Sequence, residues 1–459
     1  MNYARPDTCG EKTSLINSEM ITNKTALLLG GGISGRSAAR LLKSVNTRVI
    51  LLDRNTAQDF PEAEAVFDDS QTIAALGKSG YHRDFIVKSP GISPRHPILE
   101  EARRSGVPVI SEIDLAAIFF QGKIIGITGT DGKSTTTALT AHLISTDFPR
   151  SAFGGNIGVP FTEICRNNLD IAVLELSSYQ LEDSRLRADI GVILNIAPDH
   201  LERHGSMESY IAAKKKLFSE NPDMELVIRN DLQEKFNTTS EHKGKIRTFG
   251  PDGDAKIDYR NRIITTAANQ YDARGFIPGG HNLENLAAAI SAAELLGCRP
   301  ENIRKNISTF TGLPHRFELV DTIHSTQIIN DSKSTNTHSL VSWLGEWPAD
   351  KRFVLILGGQ NKENDISIVT SLLKEKECLV YLFGQAAGAW REQLESAVDC
   401  NLTVLETLEE VMKDIGARLR DYQPAAVIFS PACASFDQYK NFEERGNNFK
   451  KLAAAFKQE

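Results

Sequence analysis

The sequence predicts a three-domain α/β protein built on parallel sheets, and three observations carry that expectation. At 459 residues the chain is too long for one compact core, because single hydrophobic cores stop growing near ~250–300 residues. From Thr25 onward, short apolar runs at 26–29, 48–52, 84–87, 123–127, 171–176, 191–196, 353–357, 378–383 and 425–429 alternate with helical stretches. That rhythm belongs to parallel strands joined by crossover helices. Glycine or serine follows three of the runs directly, at Gly30, Gly358 and Ser430, where open α/β sheets place their ligand crevices.

Composition narrows the functional classes. Hydrophobic residues at 41% and charged residues at 24% describe an ordinary globular protein, neither disordered nor collagen-like. Lys and Arg number 52 against 59 Asp and Glu, a net charge of −7, which argues against a nucleic-acid partner. Cys9, Cys165, Cys298, Cys378, Cys400 and Cys433 are scattered with no CxxC, the pattern of reduced thiols in a cytoplasmic protein. The N-terminus lacks an apolar signal core, and no run reaches the ~18 apolar residues of a membrane span. A cytoplasmic protein, with neither nucleic acid nor membrane as partner and with a local site for an anionic metabolite allowed, is the expectation.

Residues 1–23 are polar and aperiodic and are read as a tail. Gly106 and Pro108 precede a fresh strand-loop-helix unit, and Thr311-Gly312-Leu313-Pro314 breaks a helical stretch. The domains expected are therefore 24–111, 112–312 and 313–459.

The first motif opens the first domain. Gly30-Gly31-Gly32-Ile33-Ser34-Gly35 follows a strand, leads into a helical stretch at 36–42 and is answered by Asp53 at the end of the next strand. Such glycines let backbone N–H groups approach a diphosphate at a helix N-terminus, and the acid can take a ribose hydroxyl. NAD, FAD and a UDP-sugar all satisfy this pattern.

The second motif opens the central domain: Gly129-Thr130-Asp131-Gly132-Lys133-Ser134-Thr135, again between a strand and a helix. The glycines free the backbone to curl round phosphates, Lys133 supplies a point charge, and Ser134 can reach Mg²⁺. It is not a strict Walker A, because Ile127 stands where the first glycine belongs, but it reads as an ATP loop. Glu175 and His200 lie just past the ends of later apolar strands, where a hard-oxygen ligand such as Glu175 can meet the loop's magnesium. Taken alone, His200 reads as a surface residue and Lys214-Lys215-Lys216 as a solvated helix face.

The third domain carries His315-Arg316-Phe317-Glu318, a segment from Asn330 to Asn336, Gly358-Gly359-Gln360-Asn361-Lys362 and a segment from Ser430 to Asp437. Lys, Arg, Ser and Thr at strand mouths suit a small carboxylate acceptor. Cys433 reads as an inert thiol, having no histidine partner nearby in sequence.

In this order the motifs resemble the Mur ligases, and within them the branch that adds D-glutamate. The resemblance rests on GTDGKST, GGNIG, ELSSYQLE, DHLERH, YIAAK, GGHNLEN, LPHRFE, NDSKSTN, GGQNK and SPACASFDQYKNFEERG, with the early SPGIS. It implies an N-terminal Rossmann-like domain for UDP, a central P-loop ATPase-type domain and a C-terminal Rossmann-like domain for the amino acid. It also implies ATP, two Mg²⁺ ions, a carbamylated lysine at Lys214 and the substrates UDP-N-acetylmuramoyl-L-alanine and D-glutamate.

Carried over by position, the resemblance implies that Lys133 holds the γ-phosphate and acts in catalysis with His200 and Lys214. Ser134, Glu175, His200 and Lys214 become magnesium ligands. Gly129 to Thr135, Asn156, Asn285, His315, Arg316 and Asp331 surround ATP. Gly30, Gly31, Gly32, Ile33, Ser34, Gly35, Asp53 and Arg54 face UDP, and Ser177 and Gln180 face the muramoyl group. Lys333, Thr335, Lys362, Ser435 and Phe442 take D-glutamate. Two positions depart from the family pattern: Asp131 replaces an Asn, and Glu202 an Asp. The rivals are another Mur-type ligase, a folylpolyglutamate synthetase and an NAD-binding regulatory protein. The last would leave Lys133, Glu175 and His200 without purpose.

Overall fold

A computed structural model describes residues 17–71, 73–78, 80–238, 242–360, 366–395 and 401–457. The chain divides into two compact units, one of residues 1–133 with 148–246 and one of 134–147 with 247–459.

The first unit holds two parallel arrays. One has the strand order Ala65–Phe67, Arg48–Leu52, Thr25–Leu29, Phe85–Lys88, Val109–Ser111. The other runs Glu225–Arg229, Ile190–Ile193, Lys123–Thr128, Ile171–Glu175, Ser151–Gly155. The central strands are buried along almost their whole length, which is why they read as unbroken apolar runs rather than alternating ones. The helix Ile33–Ser44 closes over the first array with Ala38, Ala39, Leu41 and Leu42. Proline at the start of Pro97–Ser105 and Gly106 in a left-handed C-cap fix both ends of that helix.

The expectation of a tail through residue 23 is corrected at its end. Ile21 is fully buried in the first unit's core, and its carbonyl accepts a 2.6 Å hydrogen bond from Thr47 Oγ1. One apolar side chain in a polar stretch gives no period to read, so the sequence hid this anchor. Residues 1–16 lie outside the described residues.

In the second unit, Glu318–Ile323, Thr326–Asn330, Ala426–Phe429, Phe353–Gly358, Cys378–Phe383 and Leu402–Val404 form a sheet in that order. Its first pair is antiparallel and the rest parallel. The antiparallel pair turns through His324 and Ser325, with φ 48° and 73°, the backbone of a tight hairpin without its usual Asn-Gly. The alanine-rich helix Gly280–Leu295 buries most of its length. Cys165, Cys298, Cys378 and Cys433 are buried and take part in no disulfide. Among the described residues no helix is long and apolar enough to cross a membrane.

Candidate active site

The turn after Lys123–Thr128 is the centre of the first unit's site. Gly129 and Gly132 hold φ 156° and 78°, values that side chains resist, and a Cβ on Gly129 would lie 2.9 Å from Leu194 Cβ. Asn195 Oδ1 accepts from the backbone N–H of Thr130 at 3.1 Å and of Asp131 at 2.7 Å, while its Nδ2 donates to the Asp131 carbonyl at 3.1 Å. Thr130 Oγ1 lies 3.1 Å from the Tyr210 hydroxyl and accepts from Ala197 N–H at 3.0 Å. The Asp131 side chain is exposed.

Two lysines converge on this turn. Lys133 Nζ donates to the carbonyls of Gly129 at 3.1 Å and Thr130 at 2.6 Å, and Lys214 Nζ donates to the Gly129 carbonyl at 2.6 Å. Lys214 is only 1% exposed, so the reading of 214–216 as a solvated face fails at its first residue. Its nitrogen stands 4.5 Å from the Tyr210 ring centroid. Burial draws the Lys214 ammonium down to about 7, with Lys133 acting in the same direction and Asp199, Asp131 and Glu175 opposing it.

Glu175 ends its strand buried. Its Oε1 accepts from Asn156 Nδ2 at 2.7 Å, while the buried Oε2 has no hydrogen-bond partner. An orphaned carboxylate oxygen is costly, and a hard cation relieves it, so this residue fits Mg²⁺. His200 is exposed at φ 53°, its ring centroid 5.0 Å from that of Tyr179 with the planes tilted by 53°, and its Nε2 3.3 Å from Asp199 Oδ2. Among the described residues no group of three or more His, Cys, Asp or Glu converges in a metal-ligating arrangement.

At the other glycine turn, Gly31 N–H donates to Asp53 Oδ2 at 2.6 Å and Asn55 N–H to Asp53 Oδ1 at 2.8 Å. Gly35 packs so tightly that a Cβ would meet the Gly30 carbonyl oxygen at 2.0 Å. Gly32 caps the helix without a side chain, leaving Ile33 77% exposed at its first turn beside Ser34. Asp53 thus shapes the turn, with lone pairs left for a ligand. Arg54 points out, paired to Asp69 at 3.1 Å. Ser177 and Gln180 form a capping box at the start of Ser178–Glu182: Ser177 Oγ accepts from Gln180 N–H, and Gln180 Oε1 accepts from Ser177 N–H.

The second unit begins with Ser134, which is buried and accepts from Arg316 Nη2 at 3.2 Å. Thr135 beside it is half-buried. Asn285 Oδ1 accepts from Thr136 Oγ1 at 3.1 Å. His315 and Phe317 both take positive φ, 64° and 46°, a costly backbone held by hydrogen bonds from His315 N–H to Glu318 Oε2 and from Phe317 N–H to Asp331 Oδ1. Asp331 Oδ2 accepts from Ser430 Oγ at 2.8 Å, and burial pushes the Asp331 carboxyl up to about 7.

Around the sheet mouth, Lys333 Nζ sits 3.9 Å from the centroid of Phe442, and His315 meets the same ring edge-on at 6.1 Å. Ser435 is buried and Thr335 half-buried. Beneath them the fully buried Arg445 donates to the carbonyls of Ser332 at 2.8 Å, Cys433 at 2.9 Å and Ala434 at 3.2 Å, and to Ser332 Oγ at 3.1 Å. Lys362 lies outside the described residues.

Residues 127–293 match the model of the Mur ligase middle domain. A UDP-N-acetylmuramoylalanine–D-glutamate ligase of Leptospira interrogans is 44% identical over 95% of this chain and 98% of its own length. The chain belongs to the Mur ligase family. A ligase of the same name from Aquifex aeolicus is 35% identical over 93% of this Mur ligase and 97% of its own length. Among solved structures, the MurF ligase of Thermotoga maritima in complex with ADP superposes with a TM-score of 0.57 at 17% identity, covering 95% of this chain and 97% of that one. The UDP-N-acetylmuramate-alanine ligase MurC of the same organism gives a TM-score of 0.57 at 19% identity, covering 94% and 99%. These two likenesses establish the fold.

In this Mur ligase, Asn195 and Tyr210 shape the glycine turn of the first unit, and Ser430 and Arg445 the sheet mouth of the second, although the sequence assigned them no role. Tyr210 lies inside YIAAK, and Ser430 and Arg445 inside SPACASFDQYKNFEERG, which was the available signal, whereas Asn195 precedes DHLERH and carried none. What no spacing discloses is that their side chains hold backbone turns.

Proposed function

We propose that this Mur ligase joins D-glutamate to UDP-N-acetylmuramoyl-L-alanine with hydrolysis of ATP to ADP and phosphate, in the cytoplasmic assembly of peptidoglycan precursors. The observation that carries this reading is the 44% identity over 98% of the length of a protein named for that reaction. The domains fall at 24–111 for UDP, 112–312 for ATP and 313–459 for the amino acid, and the enzyme works as a monomer.

The alanyl carboxylate oxygen attacks the γ-phosphorus and ADP leaves, giving an acyl phosphate. The D-glutamate amine then attacks the acyl carbon, phosphate departs, the amine loses its proton and an amide remains. Crowded oxygens need neutralising charge during the first step. Lys133, based on the Gly129–Thr130 carbonyls, supplies it, with Arg316 and His315 beside the nucleotide. Ser134, Glu175, His200 and carbamylated Lys214 would hold two Mg²⁺ ions, alongside phosphate and water oxygens, and the metals supply further charge neutralisation when bound. The orphaned Glu175 Oε2 and the easily deprotonated Lys214 support those two assignments. Asn156, Asn285 and Asp331 line ATP. Gly30 to Gly35, Asp53 and Arg54 take UDP, with Ser177 and Gln180 toward the muramoyl group. Lys333, Thr335, Lys362, Ser435 and Phe442 bind D-glutamate, where charge-assisted hydrogen bonds suit two carboxylates.

Phosphate release tests this directly. ATP, Mg²⁺ and UDP-N-acetylmuramoyl-L-alanine are supplied with D-glutamate, L-glutamate, a diamino acid or no acceptor. Release with D-glutamate alone is expected, and release with a different acceptor alone refutes the acceptor assignment.

A further inference from the structure

A cavity of about 420 Å³ opens in the first unit, lined by no residue of either glycine turn and walled by the helix Pro97–Ser105, the strand Val109–Ser111, the segment after Ser178–Glu182 and the last turns of Met207–Ser219. That volume lies in the range of small-molecule sites.

The charges on its wall are unevenly spent. Lys88, 4% exposed, is ion-paired with Asp183, and Glu182 is paired with Arg203 at 3.1 Å. Three cations remain. Arg103 donates to the Pro94 carbonyl at 2.8 Å and Lys216 to the Glu182 carbonyl, bonds that leave their charge uncompensated. Arg185 is exposed beside them. Only Glu220 opposes these on the wall. Asp114, behind the wall, has one carboxylate oxygen occupied by Ser184 Oγ at 2.7 Å and the Arg185 N–H at 2.9 Å. Leu99, Val109 and Ile110 supply an apolar side to the same space. Excess positive charge in a walled concavity concentrates anions, and guanidinium groups bind phosphate and carboxylate in a forked geometry.

We propose that this cavity binds a small organic anion carrying two negative charges beside a short apolar body, at a site separate from those for ATP, UDP and D-glutamate. The binding rests on Arg103, Arg185 and Lys216, and Lys88 contributes by keeping Asp183 neutralised.

The test uses phenyl phosphate as probe and the full chain, saturated beforehand with UDP-N-acetylmuramoyl-L-alanine, D-glutamate and a non-hydrolysable ATP analogue so that the substrate sites are filled. Calorimetry should record saturable one-to-one binding to the wild type. The double variant Arg103→Ser, Arg185→Ser, both exposed positions, should melt like the wild type and bind at least tenfold more weakly. Benzyl alcohol, of similar shape without charge, should not bind. An absence of saturable binding to the wild type overturns the proposal. So does equal binding by the double variant, or benzyl alcohol binding as well as the phosphate.

Discussion

Lys214 Nζ and the Gly129 carbonyl oxygen are joined by a 2.6 Å hydrogen bond inside the protein. An amine so placed, drawn down to about 7 by burial, is substantially neutral at physiological pH, and only a neutral amine can add carbon dioxide. Lys214→Ala is therefore expected to be inactive, with partial recovery on addition of short carboxylates such as acetate. Full activity without them would remove the carbamate from the account.

Lys133 is the charge assigned to the γ-phosphate in the proposed function, and its ammonium is seated on the Gly129 and Thr130 carbonyls. Lys133→Ala should lower ATP-dependent phosphate release by about 10²–10³-fold, the usual loss when a charge-stabilising donor is removed. Near-normal release would refute the assignment of the loop.

Asn156 holds Glu175 Oε1 at 2.7 Å while Oε2 is left without a partner. Asn156→Ala frees the carboxylate to turn, and the Mg²⁺ concentration for half-maximal activity should rise by about 10–100-fold, as for other residues that orient a metal ligand. An unchanged magnesium requirement would detach Glu175 from the metal.

Phe442 lies under the Lys333 ammonium at 3.9 Å. A cation over an aromatic face is worth about 0.5–2 kcal/mol, so Phe442→Ala should raise the KM for D-glutamate by about 2–30-fold. The KM for ATP should not move; if it alone moves, the acceptor site lies elsewhere.

Asp331 gives stability a pH signature. Its carboxyl is raised from 3.8 to about 7 in the folded protein, so between those values the folded state holds a proton that the unfolded chain has released. Stability from this group is complete below about 4 and is lost as pH rises through about 7. Asp331→Asn keeps an acceptor for Phe317 N–H and removes the titration. Thermal melting across pH 5 to 7.5 should show the wild type losing ground to the variant, and parallel curves would contradict it.

Much of this was legible in the sequence. The apolar runs at 26–29, 123–127 and 353–357 correspond to strands buried on both faces, and the glycines at 30 and 129 stand where the chain must turn left-handed. Short strands such as Ser151–Gly155 and Leu402–Val404 lie at sheet edges and are half-exposed, so they carry no apolar run to read. The burial of Lys214 was also invisible, because a lysine between two others looks solvated until the helix is placed. Ser177 and Gln180 show the same limit from the other side, since their spacing is that of a helix cap as much as of a ligand site.

Arg445 ties the Ser332 segment to the Cys433–Ala434 segment through one guanidinium. Together with the Asp331–Ser430 hydrogen bond, this guanidinium pins two stretches of chain about a hundred residues apart in sequence. Changing either stretch alone would strand donors of a fully buried guanidinium, so the two loops and the arginine have to be exchanged together. Lysine cannot serve as the substitute, for its one nitrogen cannot reach what a planar fork holds at once.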